Sequence, residues 1–346
     1  MARAAIPPPA LRMTVPRAVH TATALPDGSV LLAGGFLRNG ALLDSAELFD
    51  PRARSFTAIG PMPAPRTGHS ATLLRSGKVL VAGGRGGEER LQSAITATAL
   101  LYDPATRRFT ATGSMTTPRS DQTATLLADG RVLLAGGDAR GEEATASAEL
   151  YDPATGAFTA TGPMTSARSY HAAALLPDGR VLVAGGGPSL AKVLASTELF
   201  DPRTGHFSPA APMATARRKL AAVNLADGRV LLAGGADLDD YAGKLSSVEL
   251  YDPAVSRFLP GPPMHAGRFK VVGSATAFAG GALVAGGAPG SERFDAKAFA
   301  FRALDTGPAE SHYYATATLL ASGAVLVAGG YTGHGAADAG AFVVEP

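Results

Sequence analysis

The chain has 346 residues, a formal charge of +2 from 31 basic and 29 acidic residues, and no cysteine. The lack of thiols excludes disulfide frameworks, thiolate catalysis and iron–sulfur ligation, and the balanced charge gives no case for nucleic acid or a membrane surface as a partner. No stretch near the start has signal-peptide character, and none reaches 18 apolar residues, so we expect a cytoplasmic protein without a membrane span.

Four strand signals recur, in the same order, along the whole chain. An alternating run such as "HSATLL" is followed by a turn such as "PDG", by "RVLVAGG", by a variable loop, and then by "SAELYDP" and "AFTATGPM". Apolar or alternating runs that end at Gly, Pro or Asp are typical of short β-strands, and Asp-Gly supplies the positive φ of a hairpin turn. Each period therefore predicts a four-stranded antiparallel meander.

Gly-Gly doublets mark the periods and give their number. The first glycines of successive doublets are 43 to 53 residues apart, a spacing typical of propeller blades. There are seven doublets, which begin at Gly34, Gly83, Gly136, Gly185, Gly234, Gly286 and Gly329. We expect one repeat array over residues 1–346, although length alone would suggest two or three domains.

The two ends of the chain complement each other. The last period stops after a third strand at "AFVVEP", and the residues before "MTVPR" provide a candidate fourth strand. The predicted fold is all-β, a seven-bladed propeller with four antiparallel strands per blade, whose last blade is closed by an N-terminal strand. The predicted blades are 14–62, 63–115, 116–164, 165–213, 214–264, 265–309, and 310–346 with 1–13.

This order of strand, turn, strand, Gly-Gly, and a tyrosine about six residues before an aromatic resembles the Kelch repeat of β-propellers. The resemblance covers essentially the whole chain and implies an axial channel, with a ligand-binding rim at the end where the inner strands begin. Phenylalanine stands where the family usually has tryptophan in the fourth strand. The sixth unit, "RFKVVGSATAFAGGALVAGG", has an altered turn and a short following loop.

The motif R-x-x-H before each inner strand gives two sets of candidate residues. Its first residue either pairs with a carboxylate or carbonyl inside the blade or belongs to a ring of donors for an anionic ligand. These first residues are Arg17, Arg66, Arg119, Arg168, Arg217, Arg268 and His312. The fourth residue is His20, His69, Gln122, His171, Leu220 or Ala315. Such replacements indicate a structural hydrogen bond, and we predict no metal site.

The third residue of the motif varies most between units. It is Val19, Gly68, Asp121, Tyr170, Lys219, Lys270 or Tyr314. This variation indicates either surface drift or a pocket wall, in which an acid, phenols and amines transfer protons. Under the second hypothesis the predicted catalytic residues are Asp121, Tyr170, Lys219 and Tyr314. Lys270 and the first residues of the motif then bind the ligand, together with Arg38, Arg85, Arg140 and Tyr331 from the loops after Gly-Gly.

Two functions remain open. The first is a cofactor-free acid/base enzyme, an isomerase, mutarotase, cyclase or lyase, that acts on a small anionic or oxygenated metabolite in the axial pocket. The resemblance supports it, because sialate mutarotases and some propellers of bacterial specialised metabolism share this architecture. The second is a non-catalytic module that binds an acidic peptide or protein at the same rim. A copper radical oxidase is excluded, since its site needs a cysteine. We expect a monomer.

Overall fold

The structure is a computed structural model that describes residues 11–38, 40–86, 94–139, 143–189, 191–238, 243–304 and 306–346. Within these ranges the chain forms strands and turns only, and it contains no helix that could span a membrane. Seven four-stranded antiparallel sheets form the blades of a propeller. The predicted all-β, seven-bladed fold is confirmed.

The first four blades follow one another along the chain. Blade one contains β2 (Thr21–Ala24), β3 (Val30–Ala33), β4 (Ala46–Asp50) and β5 (Ser55–Ile59). Blade two contains β6 (Ser70–Leu73), β7 (Val79–Ala82), β10 (Ala99–Asp103) and β11 (Arg108–Ala111). Blade three contains β12 (Thr123–Leu126), β13 (Val132–Ala135), β14 (Ala148–Asp152) and β15 (Ala157–Thr161). Blade four contains β16 (Ala172–Leu175), β17 (Val181–Ala184), β18 (Thr197–Asp201) and β19 (His206–Ala210). A two-stranded sheet, β8 (Arg85–Gly86) with β9 (Ala94–Ile95), lies in the loop of blade two.

The last three blades complete the ring. Blade five contains β20 (Ala221–Asn224), β21 (Val230–Ala233), β22 (Val248–Asp252) and β23 (Arg257–Pro260). Blade six contains β24 (Ala275–Phe278), β25 (Gly281–Ala285), β26 (Ser291–Asp295) and β27 (Ala300–Leu304). Blade seven contains β28 (Thr316–Leu319), β29 (Val325–Ala328) and β30 (Gly340–Val344), and its outermost strand is β1 (Leu11–Arg12).

The core lies between neighbouring blades. The second strand of every blade is buried along its length, and its Val and Leu side chains form clusters with the adjacent blade. Tyr102, for example, packs against Leu31 and Leu48 of blade one. Its ring also lies 4.9 Å from that of Phe109 on the next strand, and similar aromatic pairs recur in other blades. The recurring fourth-strand aromatics therefore serve packing.

Two sets of backbone contacts close the ring. β1 pairs with β30 in the register Leu11 to Ala341. The second glycine of every doublet donates its amide hydrogen to the carbonyl of the motif residue that begins the next blade, as Gly35 does to Arg66 at 2.9 Å. The last of these bonds runs from Gly330 to Arg17 at 3.0 Å and joins blade seven to blade one. The predicted closure by an N-terminal strand is thus confirmed.

The glycine doublets are required by close approach between blades. The φ of Gly34 is +65°, and an added Cβ there would lie 2.5 Å from the carbonyl oxygen of Arg66 and 2.7 Å from His69. A side chain would therefore push the two blades apart, in addition to the cost of the left-handed backbone. We call the end of the propeller that carries the doublets the mouth.

Blade six departs from the pattern at the mouth. The amide of Ala285 donates to the Ser274 carbonyl at 2.8 Å, so Ser274 is the first residue that pairs with the second strand. It lies six positions after Arg268, whereas in regular blades the first paired residue lies four positions after the motif arginine. The extra residues form a β-turn, in which the amide of Ser274 donates to Val271 at 3.0 Å and Gly273 has φ +76°. The opposite hairpin turn is correspondingly shortened to residues 279–280. The added turn places Val272 in the lining of a cavity that is described below as the axial cavity.

Candidate functional site

The third motif residue adopts a left-handed backbone conformation in every blade. Its φ lies between 52° and 63° whether the residue is glycine, valine, an acid, a phenol or an amine. We call these residues the axial ring: Val19, Gly68, Asp121, Tyr170, Lys219, Lys270 and Tyr314. The conformation costs most non-glycine residues about 1–2 kcal/mol. The repeat therefore fixes the backbone at these positions while the side chain differs from blade to blade.

Backbone hydrogen bonds connect members of the axial ring across blade boundaries. Ring amides donate to the carbonyl of the preceding member at Asp121 to Gly68 (2.8 Å), Tyr170 to Asp121 (3.4 Å), Lys219 to Tyr170 (2.9 Å) and Tyr314 to Lys270 (2.8 Å). In blade six the donor to Lys219 is shifted by one residue, to Val271, at 3.2 Å. This belt holds the ring backbone rigidly, as a preorganised site requires.

Five members of the axial ring converge on a cavity of about 100 Å³ on the propeller axis. We call it the axial cavity; its lining is Val19, His20, Gly68, His69, Asp121, Gln122, Thr123, Tyr170, His171, Val272 and Tyr314. Three of the four predicted catalytic residues are thus brought together. Lys219 and Lys270 are not part of the lining, but the ammonium of Lys219 lies 5.0 Å from the ring centroid of Tyr170.

Asp121 is the acid of the axial cavity. Burial and the negative charge of Asp138 raise the pKa of Asp121 to about 6, against the opposing charges of Arg85 and Lys219. The side chain is partly exposed and lines the cavity. Its carboxylate lies over Gly68. Near neutral pH such a group can both accept and return a proton.

A lysine–aromatic cluster occupies the mouth at blades five to seven. The ammonium of Lys270 donates to the Tyr331 hydroxyl at 2.6 Å, and that of Lys244 to the Tyr313 hydroxyl at 2.9 Å. Both ammonium groups also lie 4.9 to 5.6 Å from the ring centroids of Phe269 and Tyr313. Phe269 and Tyr313 are buried, so the cluster packs its two ammonium groups against aromatic rings inside the mouth. Blades two and three contribute Asp121 and the 3.3 Å Arg85–Asp138 ion pair.

The fourth motif residue fastens each blade to the preceding one. His171 is hydrogen-bonded to the hydroxyl of Thr123 at 2.9 Å, and the same contact joins His69 to Thr21 and His20 to Thr316. Gln122 donates to Ser70 at 3.3 Å in the same place. Where the partner position is Ala172, the fourth residue is Leu220 and the contact is apolar. These residues have the structural role that the sequence indicated.

The cavity histidines are neutral. Burial and the charges of nearby arginines lower the pKa of His69 and of His171 to about 3, and the pKa of His20 is likewise lowered. An imidazole that cannot be protonated near neutral pH is no general acid there. Within the described ranges no three His, Asp or Glu side chains are placed to hold a metal ion. The other ionisable side chains of the lining are Asp121, Tyr170 and Tyr314.

The motif arginines lie inside the blades. Arg17 is fully buried; its guanidinium donates to the Gly34 carbonyl at 2.8 Å and to Glu47 at 2.6 Å. Arg119, Arg168, Arg217 and Arg268 make the equivalent bonds to Glu149, Glu198, Glu249 and Glu292. Their donors are thus engaged within the protein, which is the arrangement expected of a structural arginine.

Blade two lacks this glutamate. Leu100 stands in its place, and among the described residues the Arg66 side chain bonds to Gly83 and Thr98 alone, at 3.2 to 3.3 Å. In the five blades that have it, the glutamate also accepts an amide hydrogen from the residue after the recurring methionine, such as Thr14. That residue is Pro63 in blade two, which has no amide hydrogen, so donor and acceptor are lost together. Burial lowers the pKa of Arg66 to about 10.

The remaining predicted binding residues lie in different surroundings. His312 is buried and hydrogen-bonded to the Gly329 carbonyl at 3.1 Å, and Arg38 is exposed on its loop. Arg85 forms the ion pair noted above, and Tyr331 belongs to the lysine–aromatic cluster. Arg140 lies outside the described residues, as does most of the acidic segment 237–241.

Sequence reasoning missed four residues of the mouth. Val272 reaches the axial cavity through the blade-six turn, and it stays 42% exposed although it is apolar. Lys244, Phe269 and Tyr313 form the lysine–aromatic cluster. For Phe269 and Tyr313 the second motif letter was the available signal, since it is aromatic only in the last two units.

Comparison with known proteins agrees with this architecture. A family model for the Kelch-repeats domain of KLHDC2, KLHL20 and DRC7 matches residues 19–235. The chain belongs to the Kelch-repeat family. Among solved structures, the Kelch propeller of YjhT is 13% identical, with a TM-score of 0.65 over 96% of this chain and 95% of that one. That similarity shows the shared fold alone. A search of curated proteins found no match.

Proposed function

We propose that the axial cavity binds a small oxygenated metabolite and that Asp121 transfers a proton to and from it, in a cofactor-free isomerisation, cyclisation or elimination. The observation that carries this proposal is the convergence of Asp121, Tyr170 and Tyr314 on one small cavity at the propeller axis. One carboxylate and two phenols provide a base and two hydrogen-bond donors around a single ligand, which is the minimal set for such chemistry.

The roles follow from charge and position. Asp121 is mostly ionised at pH 7, because its pKa is about 6, and it accepts a proton from carbon or oxygen. The phenols of Tyr170 and Tyr314 donate hydrogen bonds to the ligand oxygen on which negative charge develops. Lys219, stacked on the Tyr170 ring, adds positive charge near that phenol. Val272 contributes the apolar part of the cavity wall.

A test is proton exchange with solvent. The protein is incubated in D2O with a panel of reducing sugars, sugar acids and oxo acids, and proton NMR follows loss of carbon-bound protons or faster anomeric equilibration. We expect at least one compound to respond, the response to be lost in Asp121→Asn, and Asp129→Asn, in an exposed turn at the opposite end, to retain it. A panel that responds equally with both variants would contradict the proposal.

The lysine–aromatic cluster favours a second candidate, the binding of an acidic peptide or protein at the mouth without catalysis. Lys244 and Lys270 present their charge beside Phe269 and Tyr313, a combination that suits a carboxylate-rich segment. In that case Lys244→Ala would abolish binding of a poly-glutamate peptide while Asp121→Asn would not. The proton-transfer proposal predicts the reverse dependence for metabolite turnover.

A further inference from the structure

A second cavity lies at the end of the propeller opposite the mouth. Its volume of about 620 Å³ exceeds that of the axial cavity and lies in the range that small-molecule ligands occupy. The cavity lies where blades seven and one meet. It is formed by the β2–β3, β4–β5 and β28–β29 turns, the end of β30, and one residue of blade two. None of the predicted site residues belongs to it.

Three arginines line this cavity. Arg52 and Arg54 come from the β4–β5 turn, and Arg107 comes from the equivalent turn of blade two. All three are exposed. Among the residues that the structure describes, none of the three side chains takes part in a hydrogen bond or an ion pair. Their donors are therefore available to a ligand in the cavity.

The arginines of the same face in other blades are arranged differently. In blades three, four and five the β-hairpin turn pairs its own aspartate with its own arginine, and in blade three Arg131 lies 2.7 Å from Asp129. In blade one a serine replaces that arginine. Ser29 donates to Asp27 from its hydroxyl at 2.6 Å and from its amide at 2.9 Å, so this carboxylate is satisfied without a guanidinium.

The acids of the lining form no ion pair with these arginines among the described residues, although the pKa of Asp27 is lowered mainly by its hydrogen bond with Ser29 and also by the charge of Arg107. Asp50 accepts amide hydrogens from Arg52 and Ala53 at 2.8 and 3.1 Å, which fixes its carboxylate at the turn. Glu345, the third acid of the lining, makes no ion pair with them among the described residues. The positively charged hydrogen-bond donors of the cavity lining are thus the guanidinium groups of the three arginines.

Arg54 and Arg107 occupy the same position in the turn between the third and fourth strands of their blades. Both have a left-handed conformation, with φ of 51° and 55°. Blades three and four place glycine at the same turn position, at Gly156 and Gly205. Ser256 and Phe299 are left-handed at the same position in blades five and six, so the conformation alone does not mark a site. Arg54 and Arg107 differ from them in that both line this cavity.

We propose that this cavity is a second binding site, for a small molecule that carries a phosphate or carboxylate group. Planar guanidinium groups bind such oxyanions with two parallel hydrogen bonds, and Arg54 and Arg107 provide two of them from adjacent blades. Leu48, Leu320 and Val343 supply apolar contact for the rest of the ligand. The site is separate from the axial cavity and stands whether or not the proton-transfer proposal holds.

The test is calorimetric titration of the full chain with phenyl phosphate and with benzoate, at constant ionic strength. We expect millimolar or tighter binding of at least one probe, and the arm that binds identifies the anion that the site prefers. Arg54→Gly and Arg107→Gly should each weaken that binding by about tenfold or more, while the melting temperature is unchanged or raised because the left-handed strain is relieved.

Ser256→Gly is the matched control. It relieves the same left-handed turn position in blade five, with φ 52°, away from the cavity, and should leave the affinity unchanged. A loss of binding together with a retained melting temperature supports the site. The proposal is overturned if neither probe binds at about 10 mM, or if the two arginine variants bind as the wild-type chain does.

Discussion

The carboxylate of Asp121 lies over the bare backbone of Gly68. Both of its oxygens are 3.2 Å from the point where a Cβ on residue 68 would stand. Gly68 is also the axial-ring member with the largest φ, +63°. The absence of a side chain at Gly68 in blade two therefore leaves room for the Asp121 carboxylate of blade three, and the conformation of Asp121 depends on residue 68.

Gly68→Ala should displace the Asp121 carboxylate. The methyl group would meet both oxygens at a distance tighter than ordinary contact, so the side chain must rotate away from its buried position. We expect the pKa of Asp121 to fall from about 6 towards that of an exposed aspartate, measured by carboxyl carbon NMR. Gly77→Ala, at a positive-φ glycine far from the cavity, controls for backbone strain. An unchanged titration in Gly68→Ala would rule out this coupling.

The raised pKa of Asp121 makes a signed prediction for stability. In the unfolded chain the carboxyl titrates near 3.8, so between about pH 4 and 6 the folded protein binds the extra proton. The ionised form is the less stable one in the fold, and stability falls as pH rises through 6. Asp121→Asn should therefore raise the free energy of unfolding at pH 7.5 by about 1–2 kcal/mol, since cavity water weakens the effect, and by little at pH 4.5.

Asp129→Asn should change the free energy of unfolding in the opposite direction to Asp121→Asn. Burial alone would raise the pKa of Asp129, but the hydrogen bond and charge of Arg131 outweigh it and lower the pKa. Removing this carboxylate should cost stability at pH 7.5 and progressively less in acid. Urea unfolding of both variants at the two pH values measures the contrast. Parallel pH dependence in the two variants would contradict it.

The features that can be predicted from the sequence are those that recur in every repeat. The repeat shows the blades, the Gly-Gly approach, and the closure by a terminal strand, because each is a local pattern copied several times. It also indicates where variation is tolerated, and the structure brings Asp121, Tyr170 and Tyr314 from those positions to one cavity.

The contacts between distant copies could not be predicted in the same way. Pro63 and Leu100 are both visible in the sequence, yet their joint effect on Arg66 needs the register that brings the three together. The axial position of Val272 depends on a two-residue insertion, which shifts the blade-six turn without any change in its apolar character. Such features arise from departures from the repeat, and a departure has no second copy to compare with.

Val19→Gly should stabilise the protein. Valine is branched at Cβ and is held at φ 52°, whereas blade two uses glycine at the same ring position. Relief of the left-handed strain is expected to add about 1 kcal/mol to the free energy of unfolding, and Val19 is only half-buried, so the lost contacts should not outweigh this gain. Val19→Ala keeps the strain and should bring no gain. If glycine destabilises more than alanine in urea unfolding, the strain argument fails.

The hydrogen bond between His171 and Thr123 should behave as a replaceable fastening between blades three and four. His171→Leu leaves the Thr123 hydroxyl without its imidazole partner and should cost about 1–2 kcal/mol. Adding Thr123→Ala reproduces the natural Leu220 and Ala172 pair and should recover part of that loss, with a coupling energy of about 1 kcal/mol.

The reverse exchange is the control for that cycle. Leu220→His alone buries an imidazole beside Ala172 and should destabilise the chain, and Ala172→Thr in the same background should restore a partner and stability. Urea unfolding of the single and double variants gives both coupling energies. Strictly additive effects in the two cycles would contradict this interpretation, because two side chains that share a hydrogen bond should show a coupling energy.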